Sequence, residues 1–390
     1  MDRPHLVFSL VFVLAILCSP AQAEKTWVKQ QITNNTVDDQ SPVLTDKHVA
    51  WLSSLTLSND EVYVYDGSTT TRLTNSDPID QNLFASSDYL VWNNRNFVSD
   101  DIFLWDGSTP APTQITNTAS IEYGPKVSGS WMVWGREVND LLLYNIATGG
   151  APVQFIAPGG NGNELDPCIF GNWVSFTGSD GDMEIYYHDI AAGVTHKLTN
   201  NSLFDYESKI NDQYIAWIQW DGNDREVMLY NRDTGATTQL SDNTVNEGQL
   251  LLDGSNLVWA SGTGSGSSSD SLYCHDAVTG TSKVIATNVS FYEPVVMNDR
   301  FIVYSGWDGH DREIYVYEIS SGTTTQLTDN EQHDEKPQVR GERIVWQVYD
   351  GPEDEGDWEI MLATLQEVSA SSDIFFPVRT EERKTVILGL

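Results

Sequence analysis

Hydrophobic and polar positions alternate along this chain in short runs bounded by Asp, Asn and Gly, without the three-to-four spacing of an amphipathic helix. The runs recur. The aromatic that closes the apolar core of each copy falls at Trp51, Trp92, Trp134, Phe176, Trp217, Trp259, Tyr304 and Trp346, spaced by 41, 42, 42, 41, 42, 45 and 42 residues. A fixed period of this size, built from strand signals alone, predicts four short strands per copy and an all-β propeller.

The seventh copy shows the predicted blade. Pro294-Val295-Val296 begins an inner strand A, Asn298-Asp299 turns, and residues 300–304 form strand B. A second turn, Asp308-Gly309, suits the positive φ of a hairpin, and Glu313-Ile314-Tyr315-Val316-Tyr317 reads as strand C. Thr-rich residues 323–328 read as an outer strand D. Signals for A, B and C occur eight times, but no Gln-Leu-Thr follows the last C strand, whereas Trp27-Val28-Lys29-Gln30-Gln31-Ile32-Thr33 precedes the first blade. The expected fold is therefore an eight-bladed β-propeller of four-stranded antiparallel blades over 24–363, closed by the N-terminal strand. Seven blades plus a stray element is the rival that the equal spacing disfavours. Residues 364–390 lie outside the repeat and read as a linker and a short hairpin.

Residues 1–23 have the form of a signal peptide: Arg3, an apolar stretch too short to span a bilayer comfortably, and Ala21-Gln22-Ala23 as a small-x-small cleavage site. The expected location is periplasmic or secreted, with no membrane span. Cys168 and Cys274 fall in non-adjacent blades and should be free thiols in a monomer. A net charge of −35 disfavours nucleic acid and anionic lipid, and favours cations and basic partners.

Blade topology places many acids on one face. The connections from D to A bring Asp39, Asp80, Glu122, Glu164, Asp166, Asp205, Glu207, Glu293 and Asp334 toward the predicted channel mouth; those from B to C add Asp180, Asp182, Asp221, Asp224, Asp308 and Asp311 further out. Three readings stand side by side. The acids are turn formers, or oxygen ligands for Ca²⁺ gathered from neighbouring loops, or a surface that steers a basic protein or peptide. The Asp221-Gly222-Asn223-Asp224-Arg225-Glu226 loop lacks the ligand order of a twelve-residue calcium loop.

Segments such as 220–230 and 322–330 resemble the TolB-type propeller repeats of exported proteins, and the resemblance covers residues 26–363. Here Asn211-Asp212-Gln213 and Asn298-Asp299-Arg300 stand where such repeats usually carry Ser-Pro-Asp-Gly. The resemblance implies an exported, non-catalytic module that binds protein or peptide on a propeller face. No Gly-x-Ser-x-Gly elbow, sialidase Asp-box or recurrent histidine spacing points to catalysis. The alternative is a propeller hydrolase or lyase acting on polysaccharide.

Overall fold

Strand-forming residues pair antiparallel along the whole repeat. The computed structural model describes residues 25–56, 59–75, 78–96, 98–137, 140–155, 165–262, 270–289, 294–351 and 356–367. None of these lies in a helix, so none forms a helix long and apolar enough to cross a membrane. Lys29–Thr364 is one compact unit; Met1–Val28 with Leu365–Leu390 is the other, and its described residues are the outer ends of two strands. The expected signal peptide and residues 368–390 lie outside the described residues.

Within the repeat, strands A to D of the first sheet are Asp38–Leu44, Val49–Thr56, Asn59–Tyr65 and Thr70–Arg72. The same order repeats from Ile79, Glu122, Leu165 and Phe204. From Asn246 and Val296 it repeats in two halves of one eight-stranded sheet, joined among the described residues by the Val289–Gly306 pair. The last sheet contains Asp334–Arg340, Arg343–Asp350 and Asp357–Glu367, and its fourth strand is Lys25–Gln31. Ile32 donates its N–H to the Ile360 carbonyl at 2.8 Å, and the Ile360 N–H reaches Thr33 Oγ1 at 2.7 Å. The series of four-stranded antiparallel sheets is consistent with a β-propeller. Each strand A packs on the strands A before and after it, and 334–340 packs against 38–44.

The core lies between sheets. Trp51, Trp92, Trp134, Trp217, Trp259 and Trp346 are almost fully buried. Several B-strand aromatics stack on a C-strand ring of their own sheet, as in Trp51–Tyr63, Trp92–Phe103 and Trp259–Tyr273, with centroids 5.9, 5.9 and 5.4 Å apart. Cys168 and Cys274 are free thiols in different sheets.

Strand A differs from its expected form. Outside the seventh repeat, where it is Val296–Met297 as expected, it begins at the acid or one residue before it and carries a bulge. In the first sheet the register slips between Gln40 and Val43, and Ser41 takes φ 54° just before Pro42. Lys336 before Pro337 and Asp166 before Pro167 do the same at φ 50° and 51°. A residue before proline ordinarily avoids helical backbone and prefers extended conformations, which hides this kink from a sequence reading. The bulge changes which side chains face inward, and that decides the fate of the acids.

Candidate functional site

The acids expected at an open channel mouth are mostly buried. Asp39, Asp80, Glu122, Asp205 and Asp334 expose at most 2% of their surface. Four of them accept the indole N–H of the B-strand tryptophan twelve residues on: Asp39 from Trp51 (2.9 Å), Asp80 from Trp92 (3.0 Å), Asp205 from Trp217 (2.9 Å) and Asp334 from Trp346 (2.5 Å). Burial pushes Asp80 up to about 6 and Asp334 to about 7, against the hydrogen bonds that favour their charged forms. Glu207 is half-buried at a bulge and accepts the Leu250 N–H at 3.1 Å, tying strand A to that of the next sheet. Asp166 is exposed. Glu164 and Glu293 lie outside the described residues.

A second acid recurs one residue before the buried aliphatic of strand C: Glu61, Asp101, Asp140, Glu184, Glu226, Glu313 and Glu359. The signal was available, because a carboxylate at one register of strands covered on both faces demands a partner. An asparagine after strand D links the two acid sets. Asn201 donates its backbone N–H to Glu184 (3.0 Å) and its side-chain amide to Asp205 (2.8 Å); Asn330 does so to Glu313 (2.7 Å) and Asp334 (2.6 Å). The fourth sheet is thus latched to the fifth, and the seventh repeat to the last sheet, through buried carboxylates.

Three loops between B and C go further. Asp180, Asp182 and Glu184 bring carboxylate oxygens within 4.8 Å of one another, as do Asp221, Asp224 and Glu226, and Asp308, Asp311 and Glu313. These clusters offer only oxygen donors, which suits hard cations such as Ca²⁺ or Mn²⁺. The last borders a groove of about 380 Å³ lined by Tyr304, Trp307, Asp308, Tyr315, Gln326 and Asp329. Trp307 is 43% exposed there.

On the inner strands, Lys126 lies within electrostatic reach of Lys209, Cys168 and Asp166. Lys126 stands 4.5 Å from the centre of the Phe84 ring. Burial and then the charge of Lys209 lower its pKa, opposed by Cys168 and Asp166. An amine held this way is a candidate proton acceptor.

No protein-family model and no curated protein sequence matches the chain. Solved structures do. An oligogalacturonate lyase in complex with manganese matches at 13% identity over 89% of this chain and 99% of that one, with a TM-score of 0.53. A puromycin-hydrolysing peptidase from Mycobacterium tuberculosis matches at 10% identity with a TM-score of 0.53, over 82% of this chain and 60% of that one, so this chain spans about three fifths of its length. TolB from Acinetobacter baumannii matches at 15% identity over 83% of this chain and 80% of that one, with a TM-score of 0.42, too low to carry an argument. At these identities the matches support a propeller fold. They also correct the expectation of a non-catalytic binding module, since the matching propellers are mostly enzymes, both peptidases and lyases. That expectation rested on the repeat, and the repeat is a frame that enzymes share.

Proposed function

We propose that this chain is an exported, eight-bladed, closed β-propeller that cleaves an acidic polysaccharide as a lyase. The observation that carries the reading is the amine of Lys126, packed over the Phe84 ring with Lys209 in electrostatic reach; the match to the lyase, over 89% of this chain and 99% of that one, supports it.

The residues supply a coherent chemistry. Lys126, its amine biased toward the neutral form by burial, would take the proton from the carbon beside a uronate carboxylate. Lys209 would hold that carboxylate as an ammonium–carboxylate pair and so acidify the C–H bond. The C–H electron pair becomes the double bond, the glycosidic C–O bond at the next carbon breaks, and the departing oxygen takes a proton from water. The groove at Trp307 has the flat apolar ring and polar rim that suit a sugar face, and would hold polymer away from the reacting unit. A net charge of −35 repels a polyuronate. Calcium at Asp308, Asp311 and Glu313 would offset most of the charge of that loop and could accept a uronate carboxylate as a further oxygen ligand.

The test is incubation with polyuronates and neutral polysaccharides in calcium or manganese. Unsaturated ends are followed by ultraviolet absorbance, and total new ends by a reducing-sugar assay. Absorbing product, lost in a folded Lys126→Met protein, is the expected result. Reducing ends without absorbance would convert the reading to hydrolysis, and no cleavage of any polymer would overturn it.

A further inference from the structure

The three acidic loops form an internal control, because the repeat places different residues opposite equivalent clusters. In the fourth sheet Lys197 pairs in register with Tyr186 on the neighbouring strand. Its Nζ reaches Asp180 at 2.6 Å and Glu184 at 3.3 Å. Glu184 also accepts the Thr199 hydroxyl at 2.5 Å and the Asn201 N–H at 3.0 Å, so both of its oxygens are engaged. That cluster carries its own cation.

The register partners at the same place in the fifth and seventh sheets are Gln239, opposite Met228, and Gln326, opposite Tyr315. Neither brings a charge. The consequence is visible in the carboxylates. Asp224 and Glu226 are 3% and 1% exposed, and each has one buried oxygen without a hydrogen-bond partner. In the seventh sheet Glu313 is fully buried with one such oxygen, and Asp311, 5% exposed, has two. His333, whose Nδ1 accepts the Arg312 N–H at 3.3 Å, is a basic group near Asp311. Asp221 and Asp308 each use one oxygen to accept two backbone N–H groups of their own loop. That arrangement fixes the loop around the buried oxygens.

A buried carboxylate oxygen with nothing to accept from is strongly disfavoured unless a counter-charge is supplied. We propose that Asp221, Asp224 and Glu226 form one Ca²⁺ site and Asp308, Asp311 and Glu313 a second. The fourth-sheet cluster is not a site, because the Lys197 ammonium takes the position that the ion would fill. This deepens the cation part of the reading above and rests on it only for the seventh-sheet loop; the fifth-sheet site stands apart from any catalytic role. An all-oxygen set on hairpin loops, completed by carbonyls and water, suits the irregular coordination of Ca²⁺ better than the strict octahedron of Mg²⁺.

The experiment is a calorimetric titration of metal-stripped full-length chain with CaCl₂, in enough salt to screen diffuse binding to a polyanion. Two ions per chain are expected. Gln239→Lys and Gln326→Lys, on exposed strands and leaving every ligand in place, should each remove one ion and make the melting temperature less responsive to Ca²⁺. Lys197→Gln should add a third. No binding by the native chain, or two ions retained in the double Gln→Lys variant, would overturn the proposal. Binding and melting are read without turnover, so loss of the lyase reading leaves these outcomes intact, and the reverse holds as well.

Discussion

Asp205 and Asp224 belong to the same sheet and carry the same formal charge, yet their surroundings differ. Asp205 sits in strand A with both oxygens engaged, by Trp217 and Gln219 on one side and Asn201 on the other. Asp224 sits at the hairpin with one oxygen bound by Asn223 and the other buried and unpartnered. A carboxylate saturated by neutral donors is a structural joint. One left half-satisfied next to two more carboxylates is a place that attracts a cation. The difference lies in the neighbours, and a net charge cannot reveal it.

The largest effect should come from breaking a joint. Asp205→Ala leaves the Trp217 indole N–H buried without an acceptor, and the expected loss is about 2–3 kcal/mol in denaturant unfolding. Asp205→Asn retains the acceptor and should lose much less. Equal losses for the two variants would show that the tryptophan bond is not the reason for this acid. The loop acid should behave in the opposite way. Asp224→Asn should leave stability in chelator unchanged or raised, and remove one site's share of the calcium-induced gain, about 2.7 kcal/mol at a hundredfold excess over Kd.

A smaller effect concerns pH. Asp80 has a folded-state value of about 6 against an ordinary 3.8 because it is buried. The folded chain therefore binds this proton more tightly than the unfolded chain. In chelator, the contribution of this group to stability should rise as pH falls from about 6 toward 4 and be flat above about 7. Asp80→Asn keeps an acceptor for Trp92 and should flatten that part of the profile, measured as the urea midpoint against pH. The smallest effect is expected in the third sheet, where Glu122 replaces aspartate and the buried Trp134 indole N–H, though near the carboxylate, forms no well-aligned hydrogen bond. Glu122→Ala should cost less than Asp205→Ala, by about the worth of one hydrogen bond, roughly 1 kcal/mol.

The periodic aromatics and the displaced Gln-Ile-Thr at residues 31–33 made the strand order legible, including the pairing of the N-terminal strand with the last sheet. The acids were legible in position but not in role. A strand that kinks through a left-handed residue before proline, as at Ser41, looks in sequence like a loop followed by a strand, and so the acid before it looks exposed. The C-strand glutamates were passed over because a reading by turns stops at the loop, although Glu226 and Glu313 stand at one register of an otherwise apolar run. Lys126 escaped notice because the groups that act on it, Phe84, Asp166 and Lys209, come from other sheets. Gln239 and Gln326 acquire meaning only beside Lys197, in the paired register.

The last sheet takes strands from opposite ends of the chain, through bonds such as that from Ile32 to Ile360. During synthesis its N-terminal strand must wait, unpaired, until nearly every other repeat has emerged. Contacts this distant in sequence are slow to form, and an open edge in the meantime invites pairing with other chains. Pairing of the two chain ends is therefore the last step of assembly, and anything that shields that edge until then favours it.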